Sequence, residues 1–148
     1  MILWGHKTIA MFDLWTLQHM ASGICMAFVA TIIIAKVFKK IDISPSSQKI
    51  ICFFMVIAAS LIWECAEHYL ESGVIRGEIG AKITFWFQGV EHWSNRIIGD
   101  TIAIILGWRI YYWKKNLAIP AKLFSLLWMA AHIFIFPDSM YLQRLITR

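Results

Sequence analysis

Ile50-Ile51-Cys52-Phe53-Phe54-Met55-Val56-Ile57-Ala58-Ala59-Ser60-Leu61-Ile62-Trp63-Glu64-Cys65-Ala66-Glu67-His68 is an apolar run that ends in two carboxylates and an imidazole. It is long enough to cross a hydrocarbon core, which takes roughly 20 helical residues. A carboxylate inside such a core costs roughly 3 kcal/mol on insertion scales, so glutamates placed there point to a site rather than to packing. Within a helix Glu64 and Glu67 are i,i+3 and Glu64 and His68 are i,i+4, which places all three on adjoining positions of one face.

The rest of the chain agrees with this reading. Of its 148 residues, 59% are hydrophobic and 16% charged, with mean hydropathy +0.64, far from the composition of an average soluble domain. The expected fold is all-α, a polytopic membrane helix bundle forming one integral membrane domain over 1–148. Four spans are expected, at about 14–36, 50–70, 96–113 and 121–136. Ile83 to Gly89 is apolar and aromatic but too short to span, and reads as an interfacial or re-entrant segment. The 39–48 stretch, with Pro45 and three serines, reads as a turn with a serine capping the second helix, and Ser94 or Asn95 as the cap of the third. Pro120 suits the start of the fourth helix and Pro137 its end, leaving Asp138 to Arg148 as a tail on the membrane surface.

The first 13 residues hold His6, Lys7 and Asp13 and no apolar core before a cleavage site, so the first span is expected to serve as its own insertion signal. Cys25, Cys52 and Cys65 fit neither a disulfide framework nor a metal-binding pair, and read as thiols buried among apolar side chains. The net charge of +5 comes from Lys and Arg clustered at helix ends, which argues against nucleic acid as a partner. Lys36, Lys39, Lys40 and Lys49 flank the first connection and Arg109, Lys114, Lys115 and Lys122 the third. The positive-inside rule then makes those connections cytoplasmic, in a multi-pass cell-membrane protein with both termini extracytoplasmic.

An antiparallel order brings the start of helix one, the end of helix two, the start of helix three and the end of helix four to one membrane face. Asp13, His19, Glu64, Glu67, His68, Glu91, His92, Asp100, His132 and Asp138 all fall there. Glu/His sets at these spacings build carboxylate metal sites in helix bundles. The expected metal ligands are Glu64, Glu67, His68 and His19, holding a divalent ion, with Glu91, His92 and Asp100 as catalytic and supporting groups. Blander readings stand beside these. Arg96 and Asp100, i,i+4, form a structural pair; Glu64 and Glu67 meet water at headgroup level; His19 and His132 are packing residues; Glu71 and Glu78 are solvated; His6 and Asp138 lie at the surface.

One set of residues carries a family resemblance. Asp13, His19 and Gly23, then Ser60 to Glu67, Gln88-Gly89, Trp93, Asp100 and Leu106-Gly107, resemble the small integral membrane proteins of the VanZ and YjdF-like group. The aromatic-Glu-x-x-Glu element and the Asp100 to Gly107 spacing match best. Related sequences carry acids after the Gln-Gly pair and after the Trp, where this chain has Val90 and Ser94, and this chain has two extra residues before Asp100. Glu91 and His92 stand close to those positions. The resemblance implies a compact multi-span bundle with a polar cluster, linked in some members to resistance against envelope-directed glycopeptide antibiotics. It supports the two glutamates more than His68.

The leading expectation is an outward-facing Glu/His/Asp site that uses a divalent metal on an envelope or lipid-linked substrate. Its partners are membrane lipids, a lipid-linked small molecule and, given the small size, a second copy or a larger membrane complex. The competing readings are a proton- or cation-handling protein and an accessory subunit of such a complex. The cytoplasmic half offers a proton path little beyond Thr31 and Lys36.

Overall fold

A computed structural model describes residues 2–87 and 89–134. Gln88, the end of the fourth expected span, Pro137, Asp138 and the 138–148 tail lie outside them. The described chain is helical, as expected, with one addition at its start: β1 (Ile2–Trp4) and β2 (Ala10–Phe12) pair in parallel, Ile2 opposite Ala10 and Trp4 opposite Phe12. Then come α1 (Trp15–Val37), α2 (Pro45–Glu71), α3 (Gly77–Phe87), α4 (Asp100–Trp113) and α5 (Ala118–Phe134). A π-helical turn over Asn95–Gly99 leads into α4, and a short 3₁₀ turn over Lys115–Leu117 leads into α5.

Local chemistry sets several boundaries. Ser44 Oγ accepts from the Ser47 amide at 3.1 Å, and Pro45 occupies the first helical turn, where its missing N–H costs nothing. Asp13 Oδ1 accepts from the amides of Trp15 at 2.8 Å and Thr16 at 3.0 Å, so a carboxylate anchors the start of α1. Ser94 makes no capping bond; its hydroxyl turns to His92 Nδ1 at 2.7 Å. Residues 83–87 of the apolar segment are the end of α3, a helix that begins earlier than its apolar stretch suggests.

α1 runs through the middle of the packing. Its Ala21, Ile24, Ala27, Ala30 and Ile34 meet Cys52 and Val56 of α2, Ile104 and Tyr111 of α4, and Ala118 and Ala121 of α5. Small side chains let helices come close, and the α1–α4 crossing carries this furthest. A Cβ on Gly107 would run into the Met20 carbonyl and the Gly23 backbone, and one on Gly23 into the backbone of Ile104. Both glycines belong to the residues that carry the family resemblance.

α1 and α2 are long and apolar enough to cross a membrane. In a soluble protein helices of this composition would be mostly covered. Here only 33% of the most apolar stretch of α1 and 22% of that of α2 is buried within the protein. The outer faces of α2 and α5 instead present Phe54, Leu61, Ile62, Leu123, Leu126 and Leu127. Of the cysteines, Cys52 is buried and Cys25 half-buried, but Cys65 lies exposed on this outer side of α2, contrary to the expectation of a buried thiol.

Candidate functional site

The antiparallel packing brings the start of α1, the end of α2 and the start of α4 together, and three side chains meet there. His19 Nδ1 faces Glu64 Oε1 at 3.7 Å, and His19 Nε2 faces Asp100 Oδ2 at 3.6 Å. All three residues are buried, Asp100 completely. Among the described residues neither oxygen of Glu64 nor of Asp100 has a hydrogen-bond partner, and the contacts to His19 are too long to count as hydrogen bonds. Two buried carboxylates thus flank one imidazole, with their lone pairs unsatisfied. One ligand atom from each of the three lies within 4.8 Å of the others.

A second acidic group adjoins it. Glu67, Glu71 and Glu91 also bring one oxygen each within 4.8 Å of one another, but here cations are already seated. Lys7, buried at the end of the N-terminal hook, pairs with Glu71. Arg96 Nη2 reaches Glu71 Oε2 at 2.6 Å and Glu91 Oε2 at 3.0 Å, while its Nε lies 3.5 Å from Glu64 Oε2. The Glu91 amide also donates to Glu71 Oε2 at 3.0 Å. Arg96 therefore links the two groups: one arm satisfies the second cluster and its stem borders the first.

The expected residues separate along these lines. His19, Glu64 and Asp100 are brought together, with Asp100, first assigned a supporting part, inside the trio. Glu67 and Glu91 fall in the cation-filled group. His68 is exposed and takes a hydrogen bond from Arg96 Nη1 through Nδ1 at 2.8 Å, so it serves the arginine and stands apart from the trio. His92 turns to Ser94 and lies beside Trp93. His132, buried at the end of α5, packs edge-on against Trp15 and Trp86. His6 is half-buried and bonds Thr8.

Two expectations are corrected by the geometry. Arg96 and Asp100 form no ion pair among the described residues, although they are i,i+4. The Asp100 amide bonds to the Asn95 carbonyl, five residues back, and this wider π turn takes positions 96 and 100 off a common face. Glu71 is buried, not solvated, whereas Glu78 is exposed as expected. A signal for Glu71 was present: Glu64, Glu67 and Glu71 follow i, i+3, i+7, one stripe of a helix. No local pattern marks Lys7 as its partner.

Outside the helices, burial governs the acids. It pushes the Glu91 carboxyl up to about 8, with the charge of Glu67 adding to the effect and Lys7 and Arg96 opposing it. Burial also raises Asp13, against the pull of the Thr16 and Trp15 amides. Among the described residues six carboxyl groups gather at this end, Asp13, Glu64, Glu67, Glu71, Glu91 and Asp100, with Lys7 and Arg96 as the buried cations paired to them. An uncompensated cluster of that kind must take up protons or another cation.

No family model matches the chain, and neither a curated protein nor a solved structure does. The functional reading therefore rests on the geometry of these residues. A trio of one imidazole and two carboxylates is a donor set suited to a divalent first-row metal ion. The two ring nitrogens cannot serve one ion together, so an ion held by the trio would take one of them and one oxygen from each carboxylate.

Proposed function

We propose that this chain is a multi-pass membrane protein, crossing four times with both termini outside, whose His19, Glu64 and Asp100 hold a divalent cation in an outward-facing catalytic site. The observation that carries the metal is the pair of buried carboxylates on either side of His19, neither of them hydrogen-bonded among the described residues and only Glu64 bordered by a cation, Arg96. The spanning reading is supported by the apolar outer faces of the helices and by the Lys and Arg clusters at the opposite end. The VanZ-like resemblance agrees with it, since Asp13, His19, Glu64, Glu67 and Asp100 all stand at this end.

A bound ion would supply Lewis acidity to an oxygen of the substrate. The chain's own residues do the rest. Arg96 fixes Glu71 and Glu91 and borders Glu64, keeping the second acidic group ordered beside the trio. Glu91, raised to about 8, exchanges a proton near neutral pH and is placed to act as general acid or base. The substrate class this site fits is an envelope or lipid-linked molecule, because the site opens among helices whose other faces are apolar.

Metal analysis of the protein purified in lipid nanodiscs tests this reading. About one zinc, manganese or iron ion per chain is expected after loading and washing, falling at least about tenfold in Glu64→Gln and Asp100→Asn. A wild-type protein that retains no stoichiometric ion after loading with each of the three overturns it. The arrangement of both His19 nitrogens toward carboxylates favours one alternative, a proton relay from Glu64 to Asp100. Proton flux into liposomes, lost in His19→Gln and independent of metal, would establish that instead.

A further inference from the structure

A cavity of about 530 Å³ lies between α1, α2, α3 and α5, within the range of roughly 300–1,000 Å³ typical of small-molecule sites. Its lining is mostly apolar and includes Met26, Trp63, Phe87, Met129 and, from α4, Ile104. Its lining also includes His19 and Glu67, one residue from each acidic group, so the cavity runs up to the site proposed above. A long apolar chamber that ends at a polar cluster has the shape of a site for an amphiphile: a hydrocarbon chain in the chamber and a head group at the cluster.

The head group can be specified from the residues beside His19. Gln18 and Trp15 both line the cavity. Gln18 is more than nine-tenths buried, and its Oε1 has no hydrogen-bond partner; neither has the Trp15 indole Nε1. An orphan acceptor and an orphan donor on one wall call for a group that both donates and accepts. Both atoms are enclosed, so a head group meets them through a side-chain rotation of Gln18 or Trp15. With Glu67 of α2 also in the lining, a head group without negative charge is favoured.

We infer that the cavity binds the chain of a neutral, hydroxyl-headed lipid, such as a long-chain alcohol, with its hydroxyl beside Gln18, Trp15 and His19. That placement gives the proposed site its substrate class and rests on that reading only for what happens at the hydroxyl; binding itself follows from the cavity.

The probe is a long-chain alcohol with a diazirine at the chain end, photolysed with the protein in nanodiscs and mapped by mass spectrometry. Adducts are expected on Met26 and Met129, with unlabelled alcohol competing and a methyl-headed alkane of the same length competing poorly. Ser22→Phe fills the cavity from α1 and Met129→Trp from α5. Each should lower the cavity adducts about tenfold by steric exclusion. Adducts spread evenly over the outward-facing Leu123, Leu126 and Leu127, or cavity adducts indifferent to both filling variants, overturn the inference. Equal competition by the alkane overturns the hydroxyl assignment. Labelling is run with and without a chelator: adducts that persist without metal keep the inference standing even where the metal reading fails.

Discussion

The two ends of the bundle carry charge in opposite ways. At one end Lys36, Lys39, Lys40, Arg109, Lys114 and Lys115 are exposed around a single acid, Asp42, and further lysines lie on aromatic rings, Lys49 over Trp108 and Tyr112, Lys122 over Phe28. At the other end the acids are in the majority and most are buried, and the two cations that answer them are buried with them. Charge that reaches water or headgroups costs little and orients a chain in a membrane. Charge that is enclosed must be answered atom by atom. On the proposed reading the contrast separates a topological signal from a site: the basic end is tolerant, and the acidic end is specified.

Removing Arg96 should break the contrast most severely. In Arg96→Gln, Glu71 and Glu91 lose their shared guanidinium and Glu64 its ion-pair neighbour, leaving Lys7 alone against the second cluster. Breaking a buried pair by deleting one partner costs roughly 3–5 kcal/mol. Unfolding of the protein in a graded mixture of mild detergent and dodecyl sulfate should show a loss of that size. A loss of under about 1 kcal/mol would mean that the acids are protonated or water-exposed and that the acidic end is no more demanding than the basic one.

Much of this was legible in the sequence, and what was not has physical causes. Apolar length located the helices well: the expected 14–36 is α1 at Trp15–Val37, and 121–136 corresponds to α5 at Ala118–Phe134. Helical spacing found Glu64 and antiparallel order found His19 and Asp100 at the same end. The N-terminal hook escaped because three-residue strands carry no periodicity, so nothing announced that Lys7 would fold back to Glu71. The π turn escaped because its signature is a shifted backbone hydrogen bond, and it alone decided that Arg96 would turn from Asp100 to the glutamates. Glu71 was misread because it sits at the last position of α2, where the polar connection begins, although the stripe 64, 67, 71 already included it.

A smaller effect sharpens the comparison through pH. The Glu91 carboxyl is raised from 4.5 to about 8 in the folded protein. A group with a raised folded pKa contributes stability that is fully present below its unfolded pKa of 4.5 and is lost as pH rises through about 8. Thermal stability in detergent should therefore decline from about pH 4.5 to 8 and level off above that in the wild type, and decline less in Glu91→Gln. Parallel curves for the two proteins would show that Glu91 is ionised throughout, held by Arg96 as an ordinary ion pair.

The smallest change is expected at the other end. Lys49 lies 5.3 Å from the ring centroids of both Trp108 and Tyr112, and no acid pairs with it among the described residues. Lys49 is half-buried, and a cation over an aromatic face is worth roughly 0.5–1 kcal/mol where water still reaches it, while the alkyl stem keeps most of its packing when the ammonium is replaced. Lys49→Gln should lower stability by no more than about 1 kcal/mol in the same unfolding experiment. On the proposed topology that lysine also carries topological charge, so the effect should appear elsewhere: as a weaker preference for cytoplasmic placement of the first connection when Lys36, Lys39, Lys40 and Lys49 are neutralised together and a cysteine in the turn is labelled from outside. A stability loss as large as that of Arg96→Gln would erase the distinction between the two ends, because it would make a solvent-reaching charge as costly to remove as an enclosed one.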